Sequence, residues 1–160
     1  MSNVFLISDT HFGHRKILEF EKEFRPFNSI EEHDEFIVNQ WNKTVSKRDV
    51  VYHLGDVLFG TNAFESFSRL NGTIKLILGN HDQYPTETYL QYVNKVHGSY
   101  KFDGNILTHI PIHESQFMRF KRNIHGHLHS KRLDDDRYVN CSCEQIGLTP
   151  IAYEDLKKSW

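Results

Sequence analysis

The chain has 160 residues, of which 38% are hydrophobic, 25% charged and 13% aromatic, the size and make-up of one globular domain over residues 1–160. Nineteen basic residues against 21 acidic ones leave a net charge of −2, so no basic field supports strong duplex nucleic-acid binding or a polybasic membrane anchor. The apolar start Val4-Phe5-Leu6-Ile7 is too short for a secretory signal or a spanning helix, and Cys141 and Cys143 read as reduced strand residues, so a cytoplasmic protein is expected.

Val4 to Ile7 reads as the first buried strand, a short apolar run without clean alternation. Ile30, Ile37, Trp41 and Val45 then fall near one helical face, and Ser29-x-x-Glu32 fits a capping box at its start. Val50 to Leu54 is a second strand. Phe64, Phe67 and Leu70 return to helical spacing, and Asn71-Gly72 fits the stop. Ile74 to Leu78 is a third strand, and this alternation is the α/β signature. Later segments are richer in strand: Tyr100 to Phe102, Ile106 to His109, Asn123 to His125 and Tyr138 to Cys143, with a short helix over Tyr153 to Lys158. A layered α/β domain follows, with βαβ units first and a β-rich second half.

Histidine is the outlier, with eleven in the chain. The first three strands end in polar groups: Asp9-Thr10-His11, Gly55-Asp56 and Gly79-Asn80-His81-Asp82. In open α/β sheets ligands bind beyond the carboxyl ends of strands, so these clusters are expected to meet. Thr108-His109 and His125-Gly126-His127-Leu128-His129 add to them from the second half. Asp9 with His11, and His127 with His129, are two apart, and in extended chain such pairs point to one side. Carboxylate, imidazole and amide donors without thiolate suit Mn²⁺, Fe, Zn²⁺, Co²⁺ or Ni²⁺. Glycines 55, 79 and 126 permit close backbone approach beside the donors.

Asp9-x-His11, Gly55-Asp56, Gly79-Asn80-His81-Asp82, His109 and Gly126-His127-x-His129, in that order, resemble the calcineurin-like metallophosphoesterases. Ser8 to His14, Arg25-Pro26-Phe27, Tyr52 to Asp56 and the tail from Asn140 through Glu144 to Ile151 resemble the small single-domain bacterial and phage members. The resemblance implies a four-layer α/β/β/α sandwich of two β-sheets flanked by helices. It implies two divalent ions, with Mn²⁺ favoured, one held by Asp9, His11, Asp56 and His129, the other by Asp56, Asn80, His109 and His127. Asp56 would bridge them, and a hydroxide between the ions would attack phosphorus. His81 would protonate the leaving oxygen, with Asp82 orienting or charging it.

His14, Arg15, Lys16 and Arg25 flank the first block and are candidates for substrate phosphate contacts. His53 and His125 read as core or supporting histidines, and His33 and His97 as solvent-facing ones. The expected activity is hydrolysis of phosphodiesters, nucleotide-like or nucleic-acid-like. The alternatives are a phosphomonoesterase or nucleotidase with the same centre, or a metal-binding scaffold, against which the presence of His81 weighs.

Overall fold

The computed structural model describes residues 1–160. Its order is β1 (Val4–Ile7), α1 (Ile17–Phe20), α2 (Ile30–Thr44), β2 (Val50–His53), α3 (Phe64–Ser68), β3 (Thr73–Ile77), α4 (Thr86–Tyr89), β4 (Lys95–His97), β5 (Tyr100–Phe102), β6 (Asn105–Leu107), β7 (Asn123–His125), β8 (Tyr138–Asn140), β9 (Ile151–Ala152) and α5 (Tyr153–Lys157). The strands form two mixed sheets flanked by helices. One is ordered β4-β3-β2-β1-β9, with β1 to β4 parallel and β9 antiparallel to β1. The other is ordered β5-β6-β7-β8, with β5 antiparallel to β6. The sandwich expected from the sequence is the one observed. Against β8 of the second sheet lies a 3₁₀ segment, Glu114–Met118, whose Phe117 ring meets Tyr138 at 5.0 Å.

Alternation along each strand divides the core in two. Phe5, Ile7, Val51, Ile74 and Leu76 pack with Ile37, Val38 and Trp41 of α2 and Phe64 and Phe67 of α3. Leu6, Tyr52 and Ile77 point the other way, onto Leu107 and Ile124 of the second sheet, with Tyr153 and Leu156 of α5 in the same cluster. Each such fully buried aliphatic contributes about 1.5–3 kcal/mol by leaving water. The helix α2 begins where the sequence puts it: the Ser29 hydroxyl accepts the Glu32 amide at 3.1 Å. The Glu32 carboxylate reaches back to the Asn28 amide at 3.3 Å, one residue further out than in an ideal capping box.

This topology places the carboxyl ends of β1, β2 and β3 on one edge. Beyond the strands their loops stay hydrogen-bonded: the Asp9 amide donates to the Gly55 carbonyl at 2.9 Å, and the Phe12 amide to the Val57 carbonyl at 3.0 Å. The second sheet joins the same edge, since the Cys143 amide donates to the Ser8 carbonyl at 3.0 Å and the Gly126 amide to the His109 carbonyl at 2.9 Å. No helix is long and apolar enough to cross a membrane.

Candidate metal centre

Five loops bring seven donor residues together. Asp9, His11 and His129 form one group, and Asp56, His109 and His127 a second. In the first, the Asp9 Oδ1 lies 3.5 Å from the His11 Nε2 and 3.6 Å from the His129 Nε2. In the second, the Asp56 Oδ2 lies 3.2 Å from the His109 Nε2. The same Asp56 oxygen lies 3.7 Å from the His11 Nε2, so one oxygen faces both groups. The Asn80 Oδ1 sits 3.1 Å from the His127 Nδ1, beside the second group.

Three of these donor atoms, the Asp9 Oδ1, His11 Nε2 and His109 Nε2, are buried without a hydrogen-bond partner. Buried polar atoms are rarely left so. Two donors each about 2.1 Å from one ion, at tetrahedral to octahedral angles, sit roughly 3.0–3.4 Å apart, close to the spacings here. The donor set and its orphaned atoms therefore fit divalent ions in both groups.

The opposite faces of Asp9, His109 and Asp56 are fixed. The Asp9 Oδ2 accepts the Ser8 hydroxyl at 2.6 Å, the His127 amide at 2.8 Å and the Ser142 hydroxyl at 3.2 Å, which leaves Oδ1 for the cavity. The His109 Nδ1 donates to the Leu54 carbonyl at 2.7 Å, so the Nε2 faces the cavity and is the nitrogen left bare when the ring gives up its second proton. The Asp56 Oδ1 accepts the His81 amide at 2.9 Å.

Charge follows from this crowding. Burial alone would raise the Asp9 carboxyl, but His11, His109 and His129 hold it far below the carboxylate range. Burial opposes a charged His109, yet Asp56 and Asp9 pull it up to about 9 in the metal-free protein. Burial wins at His11, pushed down to about 4 despite Asp9.

The extended-chain reading of the paired spacings is corrected. Asp9, His11, Asp56, His127 and His129 all have positive φ, at 59°, 49°, 55°, 70° and 53°. Each pair is splayed by left-handed turns beyond the strand ends, not carried on an extended segment. Left-handed backbone at a non-glycine residue costs about 1–2 kcal/mol, and Asp and His are among the side chains that tolerate it best. The glycine reading holds: a Cβ on Gly126 would overlap the Ser8 hydroxyl and the Asp9 carboxylate, and one on Gly79 would overlap Asp56.

His81 stands exposed at the rim, outside both groups, its ring 5.2 Å from that of Phe59. Asp82 is placed otherwise than expected. Its carboxylate accepts the amides of Gly79 at 2.7 Å, Asp56 at 2.8 Å and Val57 at 3.0 Å, pinning the second loop to the third. Those three amides take both of its oxygens, so Asp82 acts on backbone and not on the His81 ring.

The expected phosphate contacts divide. His14 lies at the rim, its Nδ1 3.0 Å from the His11 Nδ1 and its ring stacked on Phe59 at 4.0 Å. Arg15 is exposed and paired with Glu31 at 3.1 Å. Arg25 is not a substrate contact: its side chain is 0% exposed, with the Nε donating to Glu144 at 2.8 Å and the Nη1 to the Thr10 carbonyl at 3.1 Å. His33, expected at the surface, is fully buried between Arg25 and Asp34. His53 and His125 are buried, as expected, and Cys141 and Cys143 are free and buried. The supporting roles of Ser8, Ser142 and Glu144 have no local signature; the one hint is that polar residues stand beside the buried ends of β1 and β8.

A family model described as calcineurin-like phosphoesterase matches residues 2–158. An uncharacterized protein of Methanocaldococcus jannaschii is 34% identical, the match covering 99% of this chain and 91% of that protein. The gene 66 protein of Mycobacterium phage L5 is 37% identical over 51% of this chain and 41% of its own length. A solved structure of a protein of unknown function from Aquifex aeolicus is 25% identical, superposes with a TM-score of 0.82 and matches over 100% of both chains.

Proposed function

Because the chain belongs to the calcineurin-like phosphoesterase family, a family of metal-dependent hydrolases, we propose that residues 1–160 act as one catalytic unit that hydrolyses phosphodiesters of nucleotide-like substrates with two divalent ions, preferably Mn²⁺. The observation that carries this reading is the pair of donor groups meeting at one Asp56 oxygen, with bare Asp9, His11 and His109 atoms turned inward. One ion would be held by Asp9, His11, Asp56 and His129, the other by Asp56, Asn80, His109 and His127. When bound, such ions supply Lewis-acid polarisation of a phosphoryl group and a water acidic enough to ionise near neutral pH.

The chain's own residues do the rest. Asp9 and Asp56 contribute two negative charges to the centre, which leaves it cationic toward an anionic phosphate once loaded. His81, free of both groups, delivers a ring proton to the leaving oxygen. Asp82 keeps the loop of Asn80 and His81 against that of Asp56.

The rim favours a planar leaving group. Phe59, His14 and Phe20 form a run of rings beside His11 and His81, and Phe20 is 67% exposed. Aromatic faces accept nucleobases with little dependence on sequence. A diester is favoured over a monoester because the guanidinium of Arg25, beside the first ligand block, is buried against Glu144 and offers no charge to the cleft. A dianionic monoester would call on such cations.

The test is hydrolysis of bis-nitrophenyl phosphate beside nitrophenyl phosphate by protein stripped of metal and reloaded with Mn²⁺. Metal-dependent turnover favouring the diester is expected. Preference for the monoester would replace the phosphodiester reading with the nucleotidase one. Two bound ions without turnover of either ester would favour the scaffold.

A further inference from the structure

Behind the first donor group runs a line of charged and polar side chains centred on the fully buried Arg25 and Glu144. The Arg25 and Glu144 side chains are each 0% exposed, and the Arg25 Nε donates to the Glu144 Oε2 at 2.8 Å. That same Glu144 oxygen faces the His129 Nδ1 at 3.0 Å, while the His129 Nε2 looks toward Asp9. Arg25 also donates to the backbone carbonyls of Asp9 and Thr10, inside the left-handed turn that carries two ligands. Its Nη1 lies 3.0 Å from the His33 Nε2, and His33 meets Asp34 at 2.8 Å. Asp34 in turn accepts the Gly13 amide at 2.9 Å, closing the line on the loop that holds His11.

A fully buried ion pair is a weak source of stability, because taking each charge out of water costs several kcal/mol, at about the scale of what the pair regains. Well-packed apolar residues of the same volume would fill this space at least as well. What they could not do is accept a hydrogen bond from the His129 Nδ1, and a histidine that coordinates through Nε2 needs such an acceptor to fix its tautomer and ring plane. Glu144 supplies the acceptor, and Arg25 balances its charge so that the carboxylate stays put.

We propose that Glu144, seated by Arg25, is a positioning residue for His129 and thereby sets the affinity and occupancy of the ion held with Asp9 and His11, leaving the ion at Asp56, His109 and His127 largely untouched. The proposal rests on the two-ion reading above and goes beyond it in giving the two ions separate supports. Removing a carboxylate of this kind behind a metal-bound histidine typically weakens metal binding by about 10- to 100-fold.

The experiment is a Mn²⁺ titration of the wild-type 160-residue chain, Glu144→Gln, His129→Ala and the double variant. Calorimetry reads the two affinities, and electron paramagnetic resonance reads the spin-coupled pair against a lone Mn²⁺. Glu144→Gln is nearly isosteric and should weaken one site 10- to 100-fold, replacing the coupled signal by a lone-ion signal at low Mn²⁺. In the His129→Ala background the same substitution should change first-site affinity less than twofold, because Glu144 acts through that histidine. Equal weakening of both sites, or a full effect of Glu144→Gln without His129, would overturn the assignment and leave a packing role. Should Glu144→Gln fail to fold by circular dichroism, Glu144→Asp, which keeps the charge but withdraws it from His129, carries the same two expectations. Wild type that binds no Mn²⁺ would remove the two-ion reading and this assignment with it; wild type that binds two with Glu144→Gln unchanged would remove this assignment alone.

Discussion

Replacing Gly126 by alanine adds one methyl group at the tightest point of the site. The methyl carbon would lie 2.6 Å from the Ser8 Cβ and would overlap the Ser8 hydroxyl and the Asp9 Oδ2 outright. The backbone of Gly126 does not lie in the left-handed region, so alanine brings no torsional penalty and the effect is steric. The neighbours have little room to yield, since the Asp9 Oδ2 is held by Ser8, Ser142 and the His127 amide. Forcing a methyl group into such packing costs about 1–3 kcal/mol, and here the movement falls on Asp9, a proposed metal ligand. Gly126→Ala should therefore lower the urea midpoint of the metal-free protein and also weaken metal binding. Two controls separate the causes. A Cβ on Gly98 meets nothing within 4 Å, so Gly98→Ala should be neutral or stabilise by up to about 1 kcal/mol. Gly60 is equally open but has φ +84° and ψ 147°, a backbone conformation close to the glycine-only region, so Gly60→Ala should lose about 1–3 kcal/mol while binding metal like wild type. A Gly126→Ala protein with wild-type midpoint and wild-type metal affinity would refute the argument that this close approach seats Asp9.

Other perturbations reach different parts of the same reading. Asp56→Asn weakens the donor that faces both groups, so metal content measured after dialysis should fall at both sites together; loss of one ion alone would contradict a shared oxygen. His81→Ala should keep both ions and lose about 10²- to 10⁴-fold in rate on unactivated diesters, and much less on nitrophenyl leaving groups, which need no proton; equal losses would argue against proton delivery. Acid should unfold the metal-free protein early. Burial pushes His53 down to about 3 and His125 to about 4, so both stay neutral in the fold where the unfolded chain protonates near 6.5. Folded pKa values below the unfolded ones mean stability present above pH 6.5 and lost as pH falls toward 4, by about 1.4 kcal/mol per pH unit for each histidine. Glu144, which burial would raise but His129 and Arg25 hold at about 2, adds its loss below pH 4.5. His11, at about 4, adds to the same slope, and His109, at about 9, changes stability only above pH 6.5, so a flat urea midpoint from pH 6.5 to 4.5 would refute histidines buried neutral.

The central strands and the ligand blocks could be read from the chain because both are local. A buried parallel strand is an unbroken apolar run, and the ligands follow such runs directly. The elements that escaped are short or polar. The strand Ile151–Ala152 has two residues after Pro150, the edge strand Lys95–His97 carries a lysine and a histidine, and Ile17–Phe20 and Thr86–Tyr89 are each one turn of helix, too brief to show a period. Arg25 was misplaced for a different reason. Its partner Glu144 is 119 positions away, and no local pattern tells a buried guanidinium from one at the surface. His33 is covered likewise by distant and neighbouring partners together, Arg25, Asp34 and the Phe27 ring. Asp82 shows that adjacency in sequence is a poor guide to contact: one residue from His81, it turns to three amides in and beside the neighbouring loop.

The left-handed ligands, the bare donor atoms and the buried ion pair belong to one design problem. Several anionic and imidazole donors must converge, and each must point inward without collapsing on its neighbours. Strand geometry would hold donors two apart parallel on one face, whereas the chain leaves the strand at Asp9 and Asp56 through positive φ and splays them. Each such residue is locally unfavourable and persists only where surrounding structure over-determines it. The bonds that do so are specific: Gly55 and Asp56 carbonyls on the amides of Asp9 and His11, Arg25 on the carbonyls of Asp9 and Thr10, Asp82 on the amides of Asp56 and Gly79. None of these uses a ligand atom. The framework that holds the loops is thus separate from the atoms offered to metal, and the two apolar cores beneath it do not depend on those atoms either. A site built this way is arranged before any ion arrives, so binding energy goes into coordination and not into ordering the loops.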